Sequence, residues 1–217
     1  MLTKRSILSL VLLIVFILIT GCIPRKAENL SSQDIARQKL QKQIEHDYRN
    51  PDLHYQLGKL YQSSGLWAQA EQEFRVAINY NLVHKPSQAA LVKTLFDSGQ
   101  SSEAKTTAKV FMDAASVSDT AALELGIALQ NEGLDDYALI CYQNSLALAP
   151  TSYKANKQLG FFYLKKGDKE KAKQYLIASF NSNRFQPDVA EELGKLGVAI
   201  ESQPAPKPKP TIQPNSQ

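Results

Sequence analysis

The chain has 217 residues, with 25 Lys and Arg against 21 Asp and Glu, for a formal net charge of +4. So small a basic excess argues against a dedicated nucleic-acid binder, and the length argues against an enzyme of many domains. Two cysteines, Cys22 and Cys141, and three scattered histidines, His46, His54 and His84, are too few for a disulfide framework and poorly grouped for a zinc site.

The N-terminus reads as an address. Lys4 and Arg5 form a short positive segment, and Ile7 to Ile19 follow, thirteen residues in which Ser9 is the only polar one. A membrane-crossing helix needs about 20 apolar residues, whereas this length suits the apolar region of a secretory signal. Leu18-Ile19-Thr20-Gly21-Cys22 closes the segment. It resembles the lipobox of bacterial lipoproteins, with Ile19 where leucine is commonest. The resemblance implies cleavage before Cys22, diacylglycerol on its sulfur and acylation (palmitate among the chains) of the new N-terminus. Several chains at about 0.8 kcal/mol per buried CH₂ hold stably where one would not. Ile23 follows the cysteine, and the absence of aspartate there implies the outer membrane, facing the periplasm. The alternative is an uncleaved anchor, since the apolar run read through to Ile23 reaches seventeen residues. Loss of Lys4 and Arg5 would lower the net charge from +4 to +2, so the global charge implies no particular partner.

The central chain is periodic. Gly65, Gly99, Gly133 and Gly167 are each 34 residues apart, and each is followed five residues later by alanine: Ala70, Ala104, Ala138 and Ala172. A glycine just past a helix ends it in the left-handed conformation, and a small residue in the next helix lets the two pack closely. That predicts helical hairpins. Upstream stand Leu57-Gly58, Leu125-Gly126 and Leu159-Gly160, then Tyr61 and Tyr163; downstream stand Phe74 and Tyr142.

This pattern resembles the tetratricopeptide repeat (TPR), a 34-residue helix–turn–helix. The resemblance covers 51–186 and implies an all-α solenoid of about four hairpins with flanking half-repeat helices. The expected order is a signal peptide at 1–21, an acylated linker at 22–31 and a half-repeat at 32–50, with Ala36, Leu40 and Ile44 on one face. Repeats at 51–84, 85–118, 119–152 and 153–186 follow, then a capping helix at 187–200 and a Pro-rich tail at 201–217. The second repeat departs from the pattern, with Val92 for glycine and with Ala108 and Phe111 exchanging small and large. The tail is expected to be extended or disordered, either a solvated end or a ligand for a partner.

In this family the first helices of the repeats line a concave face that binds peptides or helices of other proteins. Carried across in phase, the first repeat offers Asp52, Tyr55, Lys59 and Gln62, and the second Ala89, Lys93, Phe96 and Asp97. The third offers Leu123, Ile127, Gln130 and Asn131; the fourth offers Lys154, Lys157, Phe161, Lys165 and Lys166; the cap adds Glu191 and Lys195. Phe96, Leu123, Ile127 and Phe161 are expected to form an apolar floor beside a wall of lysines, a face suited to an apolar, acidic peptide. The alternatives are solvated lysines and phenylalanines that belong to the core.

No Gly-rich phosphate loop, HExxH or GxSxG occurs. Asp135-Asp136 opens a predicted helix, where acids cap, and Cys141 reads as a small buried hydrophobe. Trp67 is expected to pack at the first hairpin turn. The expected function is therefore non-enzymatic, without metal or cofactor and without nucleic acid. Within lipid-anchored TPR proteins the chain resembles the type IV pilus biogenesis lipoproteins called pilotins, which implies a secretin or pilus-assembly component as partner. The alternative is an adaptor for peptidoglycan enzymes or outer-membrane protein assembly.

Overall fold

The computed structural model describes residues 31–199. The signal peptide, Cys22 and the tail at 201–217 lie outside the described residues. Among the described residues ten α-helices run in order: α1 (Ser32–His46), α2 (Pro51–Ser63), α3 (Trp67–Tyr80), α4 (Lys85–Asp97), α5 (Ser101–Ala115), α6 (Asp119–Asn131), α7 (Asp135–Leu148), α8 (Tyr153–Lys165), α9 (Lys169–Ser182) and α10 (Pro187–Lys195). Among the described residues there is no strand. The first helices α2, α4, α6, α8 and α10 start 34 residues apart, as do the second helices α3, α5, α7 and α9. The chain divides into two compact units, at 1–39 and 40–217. In the first, Ser31 opens α1 with a capping box: the Asp34 amide donates to Ser31 Oγ at 3.1 Å and the Ser31 amide to Asp34 Oδ2 at 3.2 Å. The second unit is a stack of hairpins.

The starts of α2, α4, α6 and α8 are set by one repeating position, which at α10 is Gln186 and makes no such bond. Asn50, His84, Ser118 and Ser152 are in phase, and each side chain accepts an amide of the first turn. Such a cap satisfies one of the donors that a helix start leaves free. His84 does it with its ring, Nδ1 lying 3.3 Å from the Ser87 amide. The hairpin turns are set by the four periodic glycines, whose φ values of 70°, 84°, 75° and 80° are left-handed. The amide after each glycine reaches back to the last turn of the preceding helix, as from Leu66 to the Tyr61 carbonyl at 3.0 Å.

Packing within each hairpin follows the expected seam. Ala70, Ala104, Ala138 and Ala172 are completely buried. Gly58, Gly126 and Gly160 each face a large side chain sixteen residues on. A Cβ at these sites would lie 2.6 Å from Phe74, 2.6 Å from Tyr142 and 2.5 Å from Leu176. In the second repeat the same positions are Val92 and Ala108, both buried. Volume is exchanged across the seam, so the divergent repeat keeps the hairpin. The apolar clusters are formed from hairpin neighbours, the largest centred on Leu125, Leu129, Tyr142, Leu159 and Phe162. Leu40 and Ile44 of α1 are buried with Leu57.

The C-terminal helix differs from expectation. α10 spans nine residues where the other first helices span thirteen, and it is followed by Gly197 at φ 75°. Gly194 is in phase with Gly58, yet a Cβ there would meet nothing within 4 Å. No second helix follows it among the described residues.

Candidate protein-binding groove

α4 is the most enclosed of the first helices: nine of its thirteen residues are buried, including Lys85. The reason lies in its neighbours. Lys59 on α2 donates to both carboxylate oxygens of Glu132, just past α6, at 2.9 Å each, so repeats one and three are tied together across repeat two. Lys59 also donates to Gln62 Oε1 at 2.6 Å, and Gln62 Nε2 donates to Thr94 Oγ1 at 3.1 Å. Ala89, also expected on the groove, is completely buried in the main apolar cluster.

Beside the bridge is a pocket of about 420 Å³. Tyr55, Val83, Pro86, Ile127 and Ala128 supply its apolar wall, and Asn81, Asn131, Glu124, Glu132, His84 and Lys85 its polar edge. Burial, and then the nearby Glu132 carboxylate, push the Tyr55 hydroxyl above the ordinary tyrosine range. His84 is fixed in the wall: Nδ1 faces the Ser87 hydroxyl at 2.7 Å and Nε2 faces Asp52 Oδ1 at 3.0 Å. The ring takes the Ser87 amide at Nδ1, so Nε2–H is the side that donates to Asp52.

The structure thus brings Tyr55, Lys59 and Ile127 together at one place. The other expected groove residues are distributed differently. Leu123 is buried in the main apolar cluster and offers no floor to a ligand. Phe96 is half-buried and packs 6.0 Å from the ring of Tyr137. Phe161 is half-buried against the Leu176, Val189 and Leu193 cluster, with the Lys157 ammonium 6.0 Å above its ring. Lys93 pairs with Asp97 on its own helix.

The expected wall of free lysines is not what the structure contains. Lys157 pairs with Asp188 of the next repeat at 2.5 Å. Lys165 and Lys166 pair with Asp135 of the preceding one at 3.3 and 2.9 Å. Lys195 pairs with Glu191 and Glu192 at 2.8 and 2.7 Å. Asp188 and Asp135 come from adjacent repeats, which a reading of one repeat at a time does not place, whereas Glu191 and Glu192 share the helix of Lys195. Lys154 is exposed, and no pair reaches it among the described residues. Asp135 stands in the first turn of α7 as expected and also takes Lys165 at the end of α8 and Lys166 just past it; the Lys166 bond, then the Lys165 bond, hold its carboxyl below the usual carboxylate range.

Lys85 is the residue that the phase analysis missed. It is the first residue of α4, ahead of Pro86, and its homologous positions are Pro51, Asp119, Tyr153 and Pro187, none of which is a concave-face position. Its signal is its uniqueness: a lysine at the phase that elsewhere holds a helix starter. Only 9% of it is exposed. Burial lowers its ammonium below the ordinary lysine range, against the opposing pull of Glu124. Cys141, expected to be buried, is: 1% exposed, with its thiol pushed up to about 12 by burial. Among the described residues no group of three or more His, Cys, Asp or Glu side chains could hold a metal ion, and no helix is long and apolar enough to cross a membrane.

The comparison with known families agrees with this geometry. Residues 141–174 match the tetratricopeptide repeat. The matched stretch is one full period, running from the middle of α7 through α8 into α9. No curated protein matches the sequence significantly. Solved structures similar to the chain include MamA (residues 41 to the end) from Desulfovibrio magneticus RS-1, 21% identical over 72% of this chain and 88% of that one, with a TM-score of 0.38. YrrB, a TPR protein with an unusual peptide-binding site, is 21% identical over 75% and 84%, with a TM-score of 0.40. PilF of Pseudomonas aeruginosa is 22% identical over 74% and 69%, with a TM-score of 0.40. Helix spacing, left-handed glycine turns and buried seam alanines together make the chain a TPR-type solenoid. The first helices of such a stack present a continuous surface, the kind on which repeat proteins bind other proteins or peptides.

Proposed function

We propose that the chain is a non-enzymatic scaffold, held by lipid on Cys22 at the periplasmic face of the outer membrane, that binds a partner protein through the surface around Tyr55, Lys59 and Ile127. The observation that carries the binding reading is the pocket of about 420 Å³ between repeats one and three, large enough for a ligand side chain and open beside a fixed polar bridge. The lipobox at Leu18 to Cys22 supports the anchoring, and Ile23 after it supports the outer membrane. Anchoring, repeat architecture and chain size together support a place in type IV pilus biogenesis, with a secretin or pilus-assembly component as the partner.

The experiment is cross-linking in intact cells producing the full tagged chain, followed by identification of the captured proteins. Reversing Lys157 or Lys165 would break the pairs with Asp188 and Asp135, so the groove variant is Ile127→Ser with Lys154→Glu. Capture of a secretin or pilus protein that this variant loses is the expected result. Capture of murein hydrolases or barrel-assembly proteins instead would refute the pilus assignment. Capture unaffected by the variant would refute the groove. Radiolabelled palmitate that still enters a Cys22→Ala chain would refute the anchor.

A further inference from the structure

Lys85 is a cation that no carboxylate contacts among the described residues, Glu124 acting on it only from a distance. It is nine-tenths buried at the start of α4, and it lines the pocket beside α6. No hydrogen bond or ion pair reaches its ammonium among the described residues, while the nearby Glu132 is held by Lys59 at 2.9 Å. The ammonium is not sealed off but opens onto the pocket, and stripping its water without supplying a partner would be costly. What would satisfy it is an anion entering the pocket.

The surroundings narrow the anion. Glu124 and Glu132 are both on the rim, so a doubly charged group such as a phosphate would meet two carboxylates for one free ammonium. A single carboxylate meets the same field at half the charge. Val83, Pro86, Ile127 and Ala128 line the same pocket with apolar surface, which suits aliphatic side chains on either side of the acid. Only 9% of Lys85 is exposed, so a group must reach in to meet it. A glutamate side chain can extend about 5 Å from its backbone, a little over one residue's length of chain, and can reach in while the peptide stays outside. A C-terminal carboxylate sits on the backbone itself and would require the chain end to enter. We infer that this pocket takes the side-chain carboxylate of an acidic residue flanked by aliphatic residues within a partner segment, with Lys85 as its ion-pair partner. This rests on the groove reading above and adds the chemistry of the ligand.

The test uses the full chain in detergent micelles with isotope-labelled isoleucine methyl groups, so that Ile127 reports on the pocket. Three probes are titrated, each acetylated at its N-terminus: Ala-Leu-Ala-Glu-Ala-Leu-Ala amide, the same peptide with Gln for Glu, and the Gln peptide as the free acid. The expected result is saturable movement of the Ile127 methyl by the Glu peptide, with the Gln peptide weaker on the order of tenfold or more. Lys85→Met should erase the difference between the two, and Lys105→Met, exposed on α5 away from the groove, should preserve it. Equal binding of the Glu and Gln peptides overturns the carboxylate assignment and leaves the groove reading standing. Tighter binding of the free acid than of the Glu peptide overturns the choice of a side chain. No movement with any probe overturns the proposal and the groove reading at this place together. Because one comparison is made by changing the ligand, misfolding of a protein variant cannot imitate the outcome.

Discussion

Gly126→Ala measures how tightly the hairpins are closed. The new Cβ would lie 2.6 Å from Tyr142 Cε1, 2.7 Å from Cδ1 and 3.1 Å from the Cys141 Cβ. Tyr142 cannot step aside easily: it is completely buried, and its hydroxyl donates to Gln130 Oε1 at 2.7 Å. Overpacking of this kind costs about 1–3 kcal/mol, and the rigid ring places it near the upper end. Alanine in place of helical glycine returns about 1 kcal/mol. The net expectation is a loss of about 2 kcal/mol, or a melting temperature lower by about 4–8 °C for a domain of this size. Gly194→Ala is the internal control. It stands at the same phase with nothing within 4 Å of its Cβ, so it should gain a few tenths of a kcal/mol up to about 1. Urea unfolding followed by circular dichroism gives both numbers. A Gly126→Ala chain as stable as wild type, or a Gly194→Ala chain as damaged as Gly126→Ala, would refute the seam as the reason for these glycines. The exchange already present at Val92 and Ala108 suggests the rescue: Gly126→Val with Tyr142→Ala should be less destabilising than the two single changes added together, by on the order of 1 kcal/mol.

Lys85→Met should raise stability. Because the folded ammonium titrates below its ordinary value of 10.5, the unfolded chain binds more protons between the two values, and wild-type stability should climb with pH through that window relative to the variant's, the raised Cys141 and Tyr55 acting alike in both chains; identical pH profiles would contradict this. Asp135→Asn should cost about 1 kcal/mol, since its partners Lys165 and Lys166 are half-exposed. The carboxyl titrates below 3.8 when folded, so its contribution is full above that pH and disappears as pH falls through the folded value; an acid-unfolding curve of the variant that matches wild type would count against it. Cys141 should resist thiol reagents until the third repeat opens, because burial keeps it a thiol up to about 12. Peptide mapping that finds Cys141 modified at low urea concentration would place that repeat in a more open state.

The hairpins were legible in the sequence because local rules and the period agree. Glycine turns, seam alanines and capping positions recur every 34 residues, and four copies in register leave little ambiguity. The half-repeat and the terminal helix were legible by the same phase, although Gly197 stops α10 earlier than the period would. The groove was less legible. Phase assigns a side chain to a face, but it does not say which acid from the adjoining repeat sits opposite. Asp188 and Asp135 neutralise lysines that look free when one repeat is read alone. Lys59 meeting Glu132 at a separation of 73 residues is likewise a product of how successive repeats turn, which no single repeat encodes. Leu123 was assigned to the floor by phase and is claimed by the core, because repeat three contributes most to the largest cluster. Lys85 escaped because the position it occupies normally only starts a helix.

The reversed volumes of the second repeat bear on how such a gene can be recombined. A crossover between repeats joins one inter-repeat loop to another and keeps each glycine with its own large partner and Val92 with Ala108. A crossover inside a hairpin, between the first helix of one repeat and the second helix of another, does not. Joining α4 to α7 would set Val92 against Tyr142, two bulky groups in a space built for one. Joining α6 to α5 would set Gly126 against Ala108 and leave a void. Shuffled libraries of this chain should therefore return survivors whose breakpoints fall near 50, 84, 118 and 152, with breakpoints at the glycine turns around the second repeat selectively lost.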